Sequence, residues 1–173
     1  MINLAYLGQQ ISDYLGDGSR YQANITYSNE GDTGLETAGG IKKALPLLGN
    51  QPFLVINADI SCNFPLQQLR HQVVDLAHLV LINNPEHHLK GDFSCDAQGI
   101  LHTDAQLKYT FSGIGVYHPQ LFANIDQGKS ALAPLLKTAI QTQRVTGEVF
   151  QGHWMDIGTV ERLHALEKQK TDA

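Results

Sequence analysis

Two aspartates carry the strongest chemical signal in this chain. Asp59 follows the apolar run VINA (55–58), and Asp156 lies in HWMDIGTVERL (153–163), between a short apolar strand and a helix opened by Thr159. A carboxylate just past the C-terminal end of a parallel strand sits on the rim where open α/β sheets collect their ligands. Two of them on one rim would hold a single Mg²⁺, a hard cation that takes oxygen ligands and shares its shell with water and substrate phosphates. The competing reading is local, because aspartate is also a common turn former and helix N-cap.

The passage LETAGGIKKAL (35–45) is a third feature. Ala38, Gly39 and Gly40 leave the backbone bare at a helix start, where N–H groups and the helix dipole can meet a nucleobase edge or an anion. Small residues there also serve close packing. The passage departs from G-x-G-x-x-G and from the Walker A pattern, so neither a dinucleotide oxidoreductase nor a P-loop NTPase is supported. His87-His88 follows Pro85 in a polar loop with no Cys or carboxylate at ligand spacing, and reads as surface. Cys62 reads as a small packer and Trp154 as core beneath the Asp156 loop.

The elements that must position these residues alternate between strand and helix. Residues 2–5 read as a strand end, and Leu7, Ile11, Tyr14 and Leu15 share a helical face stopped by Gly16-Asp17-Gly18. A strand is expected at 24–27, a loop containing Gly and Asp at 28–34, and a helix at 37–48 that Pro46 and Gly49 end. PFLVIN (52–57) has the continuous apolar pattern of a strand covered on both faces. A helix at 65–74, a buried strand at 78–82 and a turn at 83–85 follow. KGDFSCD (90–96) and YTFSGIGVY (109–117) read as strands without a helix between them, so part of the sheet is expected to be mixed or antiparallel. Helix returns at 131–143, strand at 145–150 and 153–157. The last helix starts at Thr159, places Val160, Leu163 and Leu166 on one face, and runs into a polar tail at 168–173 that is expected to fray. The βαβα order implies a three-layer α/β sandwich forming a single domain over residues 1–173.

Composition bounds the function. The 173 residues are 42% hydrophobic and 17% charged, which suits one soluble domain with a real core. A net charge of −5 without a Lys/Arg cluster argues against nucleic-acid binding. No apolar run approaches the roughly 20 residues of a membrane span. Two cysteines without C-x-x-C spacing, and no signal peptide at the start of the chain, point to a cytoplasmic protein with reduced thiols.

Together LETAGGIKKALPLLG, FLVINADI, KGDF, FSGIGVYHP and HWMDIGTVERL resemble the sugar-1-phosphate nucleotidyltransferases, most nearly their N-acetylmuramate-1-phosphate uridylyltransferase branch, which serves peptidoglycan recycling. The resemblance covers nearly the whole chain and implies a Rossmann-like fold with a mixed sheet. It implies that Asp59 and Asp156 hold a catalytic Mg²⁺ and that Glu36, Thr37, Ala38 and Gly39 lie against the uracil and ribose. Gly91, Asp92, Ser112 and Gly113 would line the sugar-phosphate pocket. The partners would be UTP and a sugar-1-phosphate, giving UDP-sugar and pyrophosphate.

The chain also departs from that pattern. Members begin with a strand leading into a glycine-rich G-x-G-x-R signature followed by a P-K pair that together grip the triphosphate, and that combination does not occur here. The resemblance therefore implies an incomplete domain lacking its first βα unit, with self-association through the sheet edge so exposed. It leaves two readings: a uridylyltransferase, or a noncatalytic remnant that binds a sugar phosphate or another chain. Ala58, where members usually have glycine, is expected to crowd the nucleotide slightly.

Overall fold

The computed structural model describes residues 1–31 and 33–171. Residue 32 of the expected 28–34 loop and residues 172–173 of the expected tail lie outside the described residues. The order of elements is β1 (Ile2–Leu4), α1 (Gly8–Leu15), β2 (Tyr27–Asn29), α2 (Glu36–Leu48), β3 (Phe53–Ile56), β4 (Ile60–Cys62), β5 (Ala77–Ile82), β6 (Ser94–Cys95), β7 (Leu101–His102), β8 (Thr110–Tyr117), α3 (Leu132–Gln141), β9 (Val145–Phe150), β10 (Trp154–Asp156) and α4 (Val160–Thr171). The chain divides into two compact units, Met1–Gln51 with Pro119–Thr138, and Pro52–His118 with Ala139–Ala173. Among the described residues no helix is long and apolar enough to cross a membrane.

In the first unit β1 and β2 form a parallel pair. The strand expected at 24–27 forms instead at Tyr27–Asn29, because the Ile25 N–H is spent on the Asp17 carbonyl at 2.8 Å. Helix α1 stops at Gly16 as its sequence requires, yet it buries none of its residues, and Tyr14 is 68% exposed. Helix α2 passes through Pro46 for two further residues before Gly49 returns its N–H to Leu45 at 3.0 Å. It buries Ala38, Gly39, Gly40, Ile41 and Ala44.

The second unit is built on a four-stranded sheet in the order β3-β8-β5-β9, with β8 antiparallel to both neighbours and β5 parallel to β9. This is the mixed sheet that the helix-free stretch between 90 and 117 foretold. Every residue of β5 is buried, His78 included, as expected of a mostly apolar run in a central strand. β3 differs from expectation in two respects. It pairs antiparallel with β8 and is an edge strand, and its residues alternate, leaving Leu54 40% and Ile56 41% exposed. Asp59 therefore does not end a parallel strand covered on both faces; it follows a half-covered edge strand.

Two further elements are shorter than the sequence suggested. The stretch expected as a helix at 65–74 is a 3₁₀ turn at Leu66–His71, closed by bonds from Gln68 N–H to Pro65 O and Gln72 N–H to Leu69 O. The strand expected at 90–96 reduces to the two residues of β6, hairpinned to β7. Phe64, Leu69, Val80, Ile114 and Val116 form a core against which Ile60, Cys62 and Phe150 pack, with Phe64 and Phe150 edge to face at 5.1 Å. Cys62 is thus the packing residue that its surroundings in the sequence implied.

Candidate metal and substrate site

The site begins with a defect in the sheet. Val80 pairs with Ile114 and Leu81 with Phe111, so Ser112 and Gly113 bulge out of β8. The Ser112 hydroxyl fills the gap, donating to Val80 O at 2.7 Å and accepting from Ile114 N–H at 3.2 Å. Gly113 takes φ +83°, a left-handed conformation, and a side chain there would strike Asn57 at 2.9 Å, so glycine is required twice over. The bulge turns two successive carbonyls outward. Gly113 O accepts from Asn57 N–H at 2.9 Å, and Ser112 O accepts from the Trp154 indole at 2.9 Å.

Asn57 and Trp154 each stand two residues before one of the aspartates. β4 and β10 then pair antiparallel, setting Asp156 opposite Ile60, and Ile157 N–H donates to Asp59 O at 2.7 Å. A Cβ built on Gly158 would lie 3.1 Å from Asp59 Oδ2 and 3.1 Å from Asp156 Oδ1, so those oxygens are no farther apart than twice that distance. Like charges separated by about 6 Å repel by roughly 3 kcal/mol at an effective dielectric near 20. Asp156 has compensation: Oδ1 accepts from Gly158 N–H at 2.7 Å, and Oδ2 faces Arg162 Nη1 at 3.0 Å and His87 Nε2 at 3.7 Å. Among the described residues the Asp59 carboxylate has no such partner. The pair fits a hard divalent cation in donor type and in the space that Gly158 keeps clear. No group of three or more His, Cys, Asp or Glu at metal-holding spacing occurs among the described residues, so such an ion would complete its shell with water and substrate oxygens.

Asp92 is wired to the same strand. Its Oδ2 accepts from Phe111 N–H at 2.8 Å, next to the bulge, and its Oδ1 faces His88 Nε2 at 3.0 Å. Gly91, at φ +61°, lies where a side chain would meet Asn84 Oδ1 at 2.7 Å. Asn84 holds this loop together, donating to the carbonyls of Leu89 and Lys108 and accepting from Thr110 Oγ1 at 2.9 Å. The short turn Glu86–His88 thereby carries one histidine to Asp156 and the next to Asp92. Ser112 is only 1% exposed and its hydroxyl is spent inside the sheet, so it shapes the bulge.

In the first unit Glu36 and Thr37 are exposed at the start of α2, whereas Ala38 and Gly39 are enclosed. Gly39 N–H donates to Ser130 O at 3.1 Å, and a Cβ on Gly39 would collide with Gly128 O. Close packing accounts for the two small residues. Glu36 adopts φ +59° and sits 3.6 Å from Lys129 Nζ.

Sequence reasoning did not single out Asn57, Asn84 or Arg162, and read His87 as loop surface. Only Arg162 had a local signal, a cation in the first turn after Thr159 and close in sequence to Asp156.

No family model matches the chain. The N-acetylmuramate alpha-1-phosphate uridylyltransferase of Neisseria meningitidis serogroup B is 46% identical over 171 residues, covering 94% of this chain and 74% of that protein. The protein of the same name from Caulobacter vibrioides is 27% identical over 191 residues, covering 100% and 78%. The crystal structure of HddC from Yersinia pseudotuberculosis matches with a TM-score of 0.77 at 18% identity, over 97% of this chain and 76% of that one. That last likeness concerns fold alone and agrees with a Rossmann-like α/β chain with a mixed sheet. On the identity and coverage of the Neisseria relative, the chain belongs to the sugar-1-phosphate nucleotidyltransferases, in the family of the N-acetylmuramate alpha-1-phosphate uridylyltransferases, and is an enzyme by family.

Proposed function

We propose that this site serves transfer of the uridylyl group of UTP to N-acetylmuramate-1-phosphate in peptidoglycan recycling. An oxygen of the sugar phosphate attacks the α-phosphorus in line, the bond to the β-phosphate oxygen breaks, and pyrophosphate leaves. The observation that carries the reading is the placement of Asp59 Oδ2 and Asp156 Oδ1 about one point beside Gly158. These two oxygens would hold Mg²⁺. When bound, that ion supplies positive charge against the charge developing on the phosphates.

The chain's own residues have the remaining tasks. Gly91, Asp92 and the Gly113 backbone, steadied by Ser112, orient the sugar phosphate. Exposed Glu36 and Thr37 meet the uracil and ribose, and Ala38 and Gly39 set the start of their helix by packing. No side chain acts as a nucleophile, so catalysis rests on alignment and electrostatics.

The 173 residues contain no G-x-G-x-R segment followed by a P-K pair to grip the triphosphate; their one G-x-G-x-R spacing, Gly16 to Arg20, stops α1 instead. Removing a single preorganised donor costs on the order of 10²–10³ in rate. We therefore expect this polypeptide to bind sugar phosphate yet turn over poorly. The test is pyrophosphate release from UTP with Mg²⁺ and N-acetylmuramate-1-phosphate, beside the glucosamine, glucose and mannose phosphates, and beside a polypeptide extended upstream with such a segment. Rapid release by the extended form with muramate preferred supports the reading; preference for another sugar would overturn the substrate, and equal turnover by both forms would overturn the inactivity. Self-association is expected through β3, an edge strand showing Leu54 and Ile56, and sedimentation at rising concentration reads it.

A further inference from the structure

We propose that Arg162 sets the metal preference of this site by denying Asp156 a two-oxygen grip on the ion. The inference rests on the reading that Asp59 and Asp156 hold a divalent cation.

The two oxygens of Asp156 have different fates. Oδ1 accepts the Gly158 N–H at 2.7 Å and lies on the side of Gly158 shared with Asp59 Oδ2. Oδ2 forms an ion pair with Arg162 Nη1 at 3.0 Å. His87 Nε2, at 3.7 Å from Oδ2, is beyond hydrogen-bonding distance, which leaves Arg162 as the group that occupies this oxygen.

Arg162 is well placed to keep hold. Its backbone N–H donates to Thr159 Oγ1 at 3.3 Å in the first turn of α4, and its side chain is 31% exposed.

The consequence differs between ions. Mg²⁺ takes octahedral geometry with few protein ligands, and one oxygen from each aspartate suffices. Ca²⁺ takes six to eight oxygens and commonly uses a carboxylate through both. With Oδ2 held by Arg162, Ca²⁺ loses a ligand that Mg²⁺ never needed. The arginine's positive charge disfavours both ions alike, so the ratio of their affinities isolates the geometric effect. Arg162 is on this account a positioning residue that selects against Ca²⁺.

The test is calorimetric titration of Mg²⁺ and of Ca²⁺ into the 173-residue protein and its Arg162→Met and Arg162→Lys variants, with circular dichroism to verify folding. Losing an outer-shell partner typically changes metal affinity by about 10–100-fold. Arg162→Met should therefore shift the affinity ratio toward Ca²⁺ by about tenfold or more, and Arg162→Lys, which keeps a cationic donor, should shift it much less. If Arg162→Met fails to fold, Arg162→Gln replaces it with the same expectation. An unchanged ratio in a folded variant that binds both ions would overturn the role of Arg162 alone. Failure of the wild-type protein to bind either ion would instead overturn the metal reading beneath it.

Discussion

The indole N–H of Trp154 donates to the backbone carbonyl of Ser112 at 2.9 Å, joining the strand that ends in Asp156 to the bulge of the central sheet. Trp154→Phe keeps an aromatic ring but removes this donor together with part of the indole's volume, leaving the Ser112 carbonyl unsatisfied. The expected cost is about 1 kcal/mol of stability, read by denaturant unfolding. Calorimetry should also show weaker Mg²⁺ binding, since Asp156 loses its tether. A variant as stable as the parent would show that water replaces the indole.

Gly158→Ala is a steric probe of the aspartate pair. Its methyl would arrive 3.1 Å from an oxygen of each carboxylate, closer than comfortable contact, and would push the two side chains aside. Circular dichroism should be unchanged while Mg²⁺ affinity falls by about tenfold or more, the scale of other disturbances around metal ligands. Unaltered affinity would mean the ion does not bind in that gap.

Asp59→Asn should separate function from stability. The carboxylate is exposed and without a partner among the described residues, so neutralising it relieves repulsion from Asp156 and leaves or raises the thermal midpoint. Metal-supplied charge stabilisation is worth several kcal/mol, so the upstream-extended enzyme should lose activity by at least about a hundredfold. A lowered midpoint together with retained turnover would contradict both halves.

Acid should weaken the second unit partly through Asp75. The bidentate grip of Arg144, at 2.7 Å and 2.6 Å, holds this carboxyl below its ordinary value of 3.8, while the same bond raises the arginine. A depressed carboxylate contributes stability that is fully present above 3.8 and lost as pH falls through the lower folded value. The pair is exposed, so the contribution is small. Denaturant midpoints at neutral pH and near pH 3 should diverge less in Asp75→Asn than in the parent.

The parts of this structure that follow from local pattern were readable in the sequence. The apolar run of β5 and the long strand β8 lie where their residues demand, and Gly16, Gly49 and Thr159 end or open helices as their chemistry requires. Pairing partners were not readable: nothing in PFLVIN says that its neighbour runs antiparallel or that one side stays open. Helix α1 has an apolar face by periodicity, but periodicity does not supply anything to cover it. For the site, each aspartate was visible through its own strand end. The contacts of Arg162, His87 and Asn84 depend on long-range packing or on loop geometry that single-chain patterns do not encode.

The bulge at Ser112 and Gly113 gives the aspartates a common hinge pin. The segments leading to Asp59 and Asp156 hang from consecutive carbonyls, so the two carboxylates share one support, and whatever displaces that pair of carbonyls displaces both anchors at once.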